Sequence, residues 1–299
     1  MIKNLLTGTF IGIANIIPGI SGGTIIVILG MFDKIMNSIS NLFKKDNLKR
    51  KNDIIFLSQI MIGLLIGIII FANIIDYLLN KWPNQTIFLF IGLIIFGIPN
   101  IIEKQIPKIN NTLLSFTLPF TNKHKKNNAN MSLSFLLIGF IIIISLFLLL
   151  SGSTSNTVIL FPTINIIHLL KMIVLGIITG AATIFPGISG AMLLLIIGEY
   201  YLYKSYIARI LTFQPNIIIP ILFIGIGILI GVVGSAKVTS WLLNNYRRET
   251  MSLIIGLIIA SSLVLIPFDI TYDISLLITY ILSFLGGGLI ITTVEKIKK

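Results

Sequence analysis

The chain has 299 residues, of which 56% are hydrophobic and only 11% are charged, and its mean hydropathy is +1.03. This apolar content exceeds what a soluble domain of this length buries, so the composition excludes an ordinary soluble protein and predicts an all-α integral membrane protein. The net charge of +12 lies in short basic runs between apolar segments, which is typical of membrane-protein loops and argues against nucleic-acid binding.

The apolar segments form two similar series along the chain, each with one interrupted stretch followed by three continuous stretches. A membrane-crossing helix needs about 20 apolar residues. The interrupted stretches carry Pro-Gly near their middle, so we predict re-entrant helical hairpins there, because a broken backbone must be covered by protein or line a wet cavity. The alternative is that each interrupted stretch makes two full crossings, which fits the distribution of Lys and Arg equally well. The predicted elements are hairpin 5–39 and helices 54–76, 86–102 and 133–150, then hairpin 169–203 and helices 216–236, 250–268 and 274–293.

The positions of Lys and Arg predict the orientation in the membrane, since these residues favour cytoplasmic loops. The loop 41–53 is rich in both, and counting crossings from it places most of the 22 Lys and Arg residues on the same side. We therefore predict a multi-pass protein of the cytoplasmic membrane. Its N- and C-termini are cytoplasmic and its loop 151–167 lies outside.

An internal repeat relates the two series. Residues 18–22 and 186–190 both read Pro-Gly-Ile-Ser-Gly, 168 positions apart, and a shift of 164 positions then pairs Gly63 with Gly227. Each half, 1–150 and 151–299, thus contains one hairpin and three crossings. Because three is an odd number, the second half is upside down relative to the first. Inverted-topology repeats with broken helices are a recurrent plan of secondary transporters.

Several glycines recur at four-residue spacing outside the Pro-Gly motif. Glycine at this spacing lets two helices approach closely in a membrane. We predict that these residues form helix contacts rather than ligand sites. They are Gly8 and Gly12, Gly63 and Gly67, Gly176 and Gly180, and Gly227 and Gly231.

The repeated Pro-Gly-Ile-Ser-Gly motif has the composition of an anion site. Proline ends one helix, and the Ser-Gly that follows starts another whose free N–H groups and dipole favour negative charge, so a phosphate monoester suits it. The alternative is a kink with small-residue helix packing. The candidate phosphate-binding residues are Asn15, Pro18, Gly19, Ser21, Gly22, Gly23 and Thr24 in the first half, and Thr183, Pro186, Gly187, Ser189 and Gly190 in the second.

Two acidic residues follow the motifs. Asp33 and Glu199 lie just beyond Gly30 and Gly198. Since burying a carboxylate in a membrane is expensive, such residues are candidates for coupling transport to a proton or sodium ion, and the alternative is that both reach interfacial water. The chain has no cysteine and only two histidines, so we predict no metal site and no cofactor.

The two motif copies carry a resemblance to a known family. Residues 15–23, followed by Thr24, resemble the signature of the polyprenyl-phosphate (undecaprenyl-phosphate) translocases, and residues 185–190 with 198–200 resemble that family's second signature. The resemblance covers essentially the whole chain. It implies a flippase, not an enzyme, whose lipid partner is undecaprenyl phosphate. The headgroup would return from the outer to the inner leaflet, which recycles the carrier of cell-envelope synthesis.

Two departures and two alternatives accompany the resemblance. Asp33 stands where the family more often has glutamate, and Ala191 stands where a small hydroxylated residue is expected. A membrane lipid phosphatase would need an arginine beside the motif serine, whereas glycine follows both serines here. A carrier of a small soluble anion could use the same helix-end site, and the sequence does not distinguish it from a lipid carrier.

Overall fold

The computed structural model describes residues 2–16, 21–42, 47–105, 131–151, 164–209, 212–267 and 274–298. The regular elements of these residues are α-helices, in agreement with the predicted all-α class. In chain order they are α1 (Ile2–Ile16), α2 (Gly22–Ile28), α3 (Phe32–Asn41), α4 (Asn47–Lys81), α5 (Pro83–Gln105), α6 (Leu133–Ser151), α7 (Ile166–Ile184), α8 (Gly190–Ile197), α9 (Tyr200–Ala208), α10 (Pro215–Asn245), α11 (Arg247–Val264) and α12 (Ile274–Lys298).

Five helices of the described residues are long and apolar enough to cross a membrane, namely α4, α6, α7, α10 and α12, and the bent pair α2 and α3 raises the number to six. α7 has 19 residues, so this arm of the second predicted hairpin is long enough for a full crossing. α5 and α11, which correspond to the predicted crossings 86–102 and 250–268, are not among the five: the apolar part of α5 covers only Pro83–Pro99, and α11 begins with three charged residues at 247–249.

Each predicted hairpin is divided into three helices rather than two. A second break follows the Pro-Gly turn, at Gly30 in the first half and at Gly198 in the second, and α2 and α3 meet at 115°. Both glycines have positive φ, 66° at Gly30 and 82° at Gly198. Since residues with a Cβ rarely adopt this conformation, glycine ends the helix there. The continuous second arm, predicted to reach residue 39 or 203, is therefore wrong.

Glycine contacts join α1 to α4 and α7 to α10, as predicted. A Cβ added at Gly8 would lie 2.1 Å from the carbonyl oxygen of Ile60, and one added at Gly176 would lie 2.3 Å from that of Ile224. The partner glycines behave alike, since a Cβ at Gly227 would lie 2.2 Å from the oxygen of Ile173. The backbones of each pair are thus in direct contact, which a larger residue would prevent.

The two halves of the chain also pack across one another. α5 packs along α12, and α6 packs along α11. A Cβ added at Gly92 would meet the oxygen of Phe284 at 1.9 Å, and one added at Gly256 would meet that of Leu136 at 2.0 Å. Gly92 and Gly256 are 164 positions apart, so the same contact recurs with the roles of the halves exchanged.

The main hydrophobic core surrounds α2 and α3. Val27, Ile28, Phe32 and Met36 are almost completely buried, and side chains of α1, α4, α5, α10 and α11 complete the cluster. Large apolar residues elsewhere point outward, as at Ile69 on α4, which is 73% exposed. In a membrane protein such residues face lipid rather than water.

Candidate functional site

The second Pro-Gly turn, at residues 185–189, packs directly against the start of α2. The backbone N–H of Gly187 donates a hydrogen bond to the hydroxyl of Thr24 (3.0 Å), and the hydroxyl of Ser21 lies 3.5 Å from the carbonyl oxygen of Phe185. Gly187 has φ of 80°, and a Cβ there would lie 2.7 Å from the oxygen of Leu257. Two segments far apart in the chain therefore form one unit that requires glycine.

The two motif serines occupy the same position but have different roles. Ser21 precedes α2 and its hydroxyl accepts a hydrogen bond from the N–H of Gly23 (3.2 Å), which is a regular N-cap. Ser189 precedes α8 with a similar backbone conformation, but its side chain makes no capping bond. The hydroxyl of Ser189 therefore contributes nothing to the start of its helix.

A cavity of about 670 Å³ lies beside the first turn of α8. Gly190, Ala191 and Met192 line it, and their N–H groups have no acceptor within α8, because the first bond of the helix runs from the N–H of Leu193 to the oxygen of Ser189. The N–H groups and positive dipole end of α8 thus lie at the cavity wall. The lining also has apolar residues from α6 and from the end of α11, namely Ile143, Phe147, Leu150, Val264 and Leu265.

The structure brings seven of the predicted phosphate-binding residues to this cavity. Of the others, Gly23, Thr24 and Pro186 are buried and do not line it, and Thr24 is occupied by its bond from Gly187. Pro18 and Gly19 lie outside the described residues. The seven that line it are Asn15, Ser21, Gly22, Thr183, Gly187, Ser189 and Gly190.

Other polar residues of the cavity were not predicted from the sequence. Thr179 lies one helical turn before Thr183 on α7, so the spacing of the two threonines could have indicated a shared face. Ser261 comes from α11, and no local pattern connects it with the motif. Tyr200, Tyr201 and Tyr203 come from α9, directly after the second glycine break.

Both candidate coupling acids lie away from this cavity lining, and each forms an ion pair. The Asp33 carboxylate is 2.6 Å from a guanidinium nitrogen of Arg247, at the start of α11. The Glu199 carboxylate is 2.5 Å from the ammonium of Lys171, on α7. The side chains are partly exposed, with Asp33 at 29% and Glu199 at 19%. The negative charges are therefore already balanced by neighbouring cations.

Helices of this length and hydropathy define a multi-pass integral membrane protein. A family model described as undecaprenyl phosphate translocase-like (VCA0040-like) matches residues 11–277, so the chain belongs to that family. The resemblance carried by the two motif copies is thereby confirmed. Membership of a translocase-like family also supports the prediction that the chain is not an enzyme.

Two relatives are similar to the chain over most of their length. The chain is 28% identical over 294 residues to a polyprenyl-phosphate transporter of Staphylococcus aureus, which covers 98% of this chain and 96% of the relative. It is 27% identical over 270 residues to a polyprenyl-phosphate transporter of Vibrio cholerae, covering 87% of this chain and 76% of the relative. No solved structure matches the chain.

Proposed function

We propose that this protein transports a polyprenyl phosphate such as undecaprenyl phosphate across the cytoplasmic membrane, returning the headgroup from the outer to the inner leaflet. The observation that carries the proposal is the cavity beside α8, where the second Pro-Gly turn meets the start of α2. The chain that contains this cavity belongs to the translocase-like family, and two of its relatives are named polyprenyl-phosphate transporters. The function remains one of transport, without chemical change of the lipid.

The phosphate is held at the first turn of α8. The N–H groups of Gly190, Ala191 and Met192 and the hydroxyl of Ser189 donate to its oxygens, which needs no charged side chain. The amide of Asn15 and the hydroxyl of Thr183 lie on the same cavity. In this proposal α8 contributes more than α2, because Ser21 and Thr24 are already engaged in holding the two turns together.

A second cavity supports a lipid rather than a small soluble anion as substrate. It measures about 610 Å³, and its lining is almost wholly apolar. Ala14 and Ile25 line this second cavity, while their near neighbours Asn15 and Gly22 line the first. A prenyl chain would find apolar surface here within a few residues of its headgroup, whereas a soluble anion has no use for it.

The architecture that we propose consists of two inverted repeats, residues 1–150 and 151–299, with the Pro-Gly turns entering from opposite sides. The recurrence of the glycine contacts supports it, since Gly8 meets Ile60 as Gly176 meets Ile224. The termini are cytoplasmic in this arrangement, as the distribution of Lys and Arg favours. A pseudo-twofold axis would then pass near the phosphate site.

Coupling to a proton or sodium ion forms part of the proposal. None of the described residues that line the cavity beside α8 is Lys or Arg, so a co-transported cation would offset part of the phosphate charge during crossing. Glu199 is the candidate closest in sequence to this cavity, next to Tyr200. Glu199→Gln should weaken the pH or sodium dependence of transport more than lipid binding, and unchanged dependence in the variant would exclude the role.

The test is reconstitution of the purified protein in vesicles that carry undecaprenyl phosphate in one leaflet, followed by headgroup accessibility on the other side. Protein-containing vesicles should equilibrate the headgroup faster than protein-free vesicles, and loading each leaflet in turn reports the direction. Uptake of inorganic phosphate by the same vesicles without movement of the lipid would identify a soluble-anion carrier instead. Equal rates with and without protein would contradict the proposal.

A further inference from the structure

The two short-helix segments are packed differently, although the helix contacts around them recur. In the first half α2 is enclosed, and six of its seven residues are buried. In the second half α8 buries only Gly190 and Leu194 among its eight residues. The fold therefore departs from internal symmetry at these segments, which are also the ones that contain the site.

The departure is clearest at the contact between α2 and α5. Ile28 of α2 fills the space beside Gly97, where an added Cβ would lie 2.5 Å from its methyl group. The positions 168 and 164 residues further along are Ile196 and Ser261. In the described part of the chain, α8 does not pack on α11 to the extent that α2 packs on α5. Ser261 of α11 instead lines the 670 Å³ cavity. The contact between α2 and α5 is therefore made at Ile28, beside the 610 Å³ cavity that Ile25 and Leu89 line, whereas its counterpart between α8 and α11 is not made to that extent.

The same asymmetry appears at α3 and α9. α3 crosses to the other half, where the Ser240 hydroxyl of α10 donates to the amide oxygen of Asn37 (2.6 Å) and Arg247 pairs with Asp33. α9 packs on α8 and α10 of its own half, and its Tyr206 hydroxyl lies 3.0 Å from the His168 ring of α7. Within the described ranges, α9 has no comparable packing on α4, the helix equivalent to α10.

We propose that α3 and α9 are alternate gates of the transport site, and that the structure has the α3 gate closed and the α9 gate open. The inference rests on the proposed transport function and specifies how that function is gated. With the orientation proposed above, this is the outward-open state. In the inward-open state α9 closes on α4, the seam between α8 and α11 fills, and the seam between α2 and α5 opens.

The internal repeat identifies the contact that closes the α9 gate. Asn37 corresponds to Ser205, 168 positions later, and Ser240 corresponds to Asp76, 164 positions earlier. The pair remains chemically complementary with donor and acceptor exchanged, because the hydroxyl of Ser205 can donate to the carboxylate of Asp76. In this structure Asp76 is exposed and Ser205 is partly exposed. Both are therefore accessible for the contact.

The α3 gate has an ion pair between the halves that the α9 gate cannot form. The residues equivalent to Asp33 and Arg247 are Tyr201 and Pro83, which cannot form an ion pair. The α3 gate thus has a charge pair that the α9 gate lacks, and this favours the state seen here. Asp33 acts in this mechanism as a latch between the halves.

Cysteine cross-linking tests the gates directly, because the native chain has no cysteine. We expect a short bifunctional thiol reagent to link Asn37→Cys with Ser240→Cys rapidly in the resting protein. The pair Asp76→Cys with Ser205→Cys should link about tenfold more slowly, and addition of undecaprenyl phosphate should accelerate it. The matched control is Asp76→Cys with Lys204→Cys, since Lys204 is about 100° away around the helix from Ser205.

Cross-linking of Asp76→Cys with Ser205→Cys above the control supports the gate, and it does so even if no lipid transport is detected. Failure to exceed the control, in a preparation where Asn37→Cys and Ser240→Cys link normally, would overturn it. Adding Asp33→Asn to the Asp76/Ser205 pair should raise its rate about threefold to fivefold, the range expected for a partly exposed ion pair. An unchanged rate would show that Asp33 is no latch.

Discussion

At the scale of single residues, the two motif serines occupy equivalent positions in the sequence repeat but make different contacts in the structure. Both serines line the cavity, but Ser21 caps α2 and approaches the second turn, whereas the hydroxyl of Ser189 makes no capping bond. A residue's role therefore depends on which neighbours the open and closed halves provide. The repeated sequence alone cannot reveal that difference.

The serines give a prediction that separates stability from binding. Ser21→Ala removes an N-cap and should lower the free energy of unfolding by about 1 kcal/mol. Ser189→Ala should leave stability unchanged and weaken undecaprenyl-phosphate binding about tenfold, which corresponds to roughly 1.4 kcal/mol for one lost hydrogen bond. Thermal unfolding and lipid-binding titration of both variants measure the two effects. Equal binding losses in the two variants would favour a symmetric site.

Ala191 offers a probe of the cavity that does not disturb the turn. It is exposed, it lines the cavity and it belongs to the first turn of α8. Ala191→Val should obstruct the phosphate and reduce binding at least about tenfold, while Ala191→Ser, the matched control, keeps the space and adds a donor. Gly187→Val is a poorer probe, because the added Cβ would clash with the oxygen of Leu257. Full binding by Ala191→Val would place the phosphate elsewhere.

At the scale of helices and turns, the Pro-Gly breaks were predictable and the second breaks were not. Proline removes an N–H and clashes with the preceding turn, so its effect is local and visible in the sequence. Gly30 and Gly198 have positive φ, but each is followed by residues that can continue a helix. Short apolar helices that end at a glycine cannot be told from a continuous arm by composition.

The helix pairs give a prediction with a control two residues away. On α10, a Cβ at Gly227 would lie 2.2 Å from the oxygen of Ile173, whereas one at Gly225 meets nothing within 4 Å. Gly227→Ala should force α7 and α10 apart and lower the thermal stability by several degrees. Gly225→Ala should be neutral or stabilising by up to about 1 kcal/mol, since alanine favours the helix. Equal melting temperatures for the two variants would contradict the close contact.

At the scale of the whole molecule, four of the long membrane-crossing helices could be predicted because a bilayer imposes their length and polarity. The positions of α4, α6, α10 and α12 follow directly from apolar runs in the sequence. Residues such as Ser261 could not be assigned to the site, because helix α11 reaches the cavity only through tertiary packing. The open and closed seams likewise result from a conformational state, which one sequence does not specify.

The proposed orientation can be tested on two described positions that are exposed at helix boundaries. Leu48, at the start of α4, is 80% exposed, and Ile164, shortly before α7, is 38% exposed. An impermeant maleimide applied to intact cells should label Ile164→Cys and spare Leu48→Cys, and permeabilisation should expose both. The reverse labelling pattern would show that the protein has the opposite orientation in the membrane, and each gate would then face the other side.

The burial of α11 has a consequence for the evolutionary divergence of these proteins. Ten of its 18 residues are buried, among them the small residues Gly256, Ala260 and Ser262, because α11 lies between other helices rather than against lipid. Exchange among Ile, Leu and Val is nearly free on a lipid-facing surface such as that of α4, but a change of volume inside a packed seam is not. Exchanges among Ile, Leu and Val should therefore accumulate on α4, whereas substitutions that change side-chain volume should be selected against on α11. The positions shared with the Staphylococcus relative should accordingly concentrate along a helix whose apolar composition looks no more constrained than that of its neighbours.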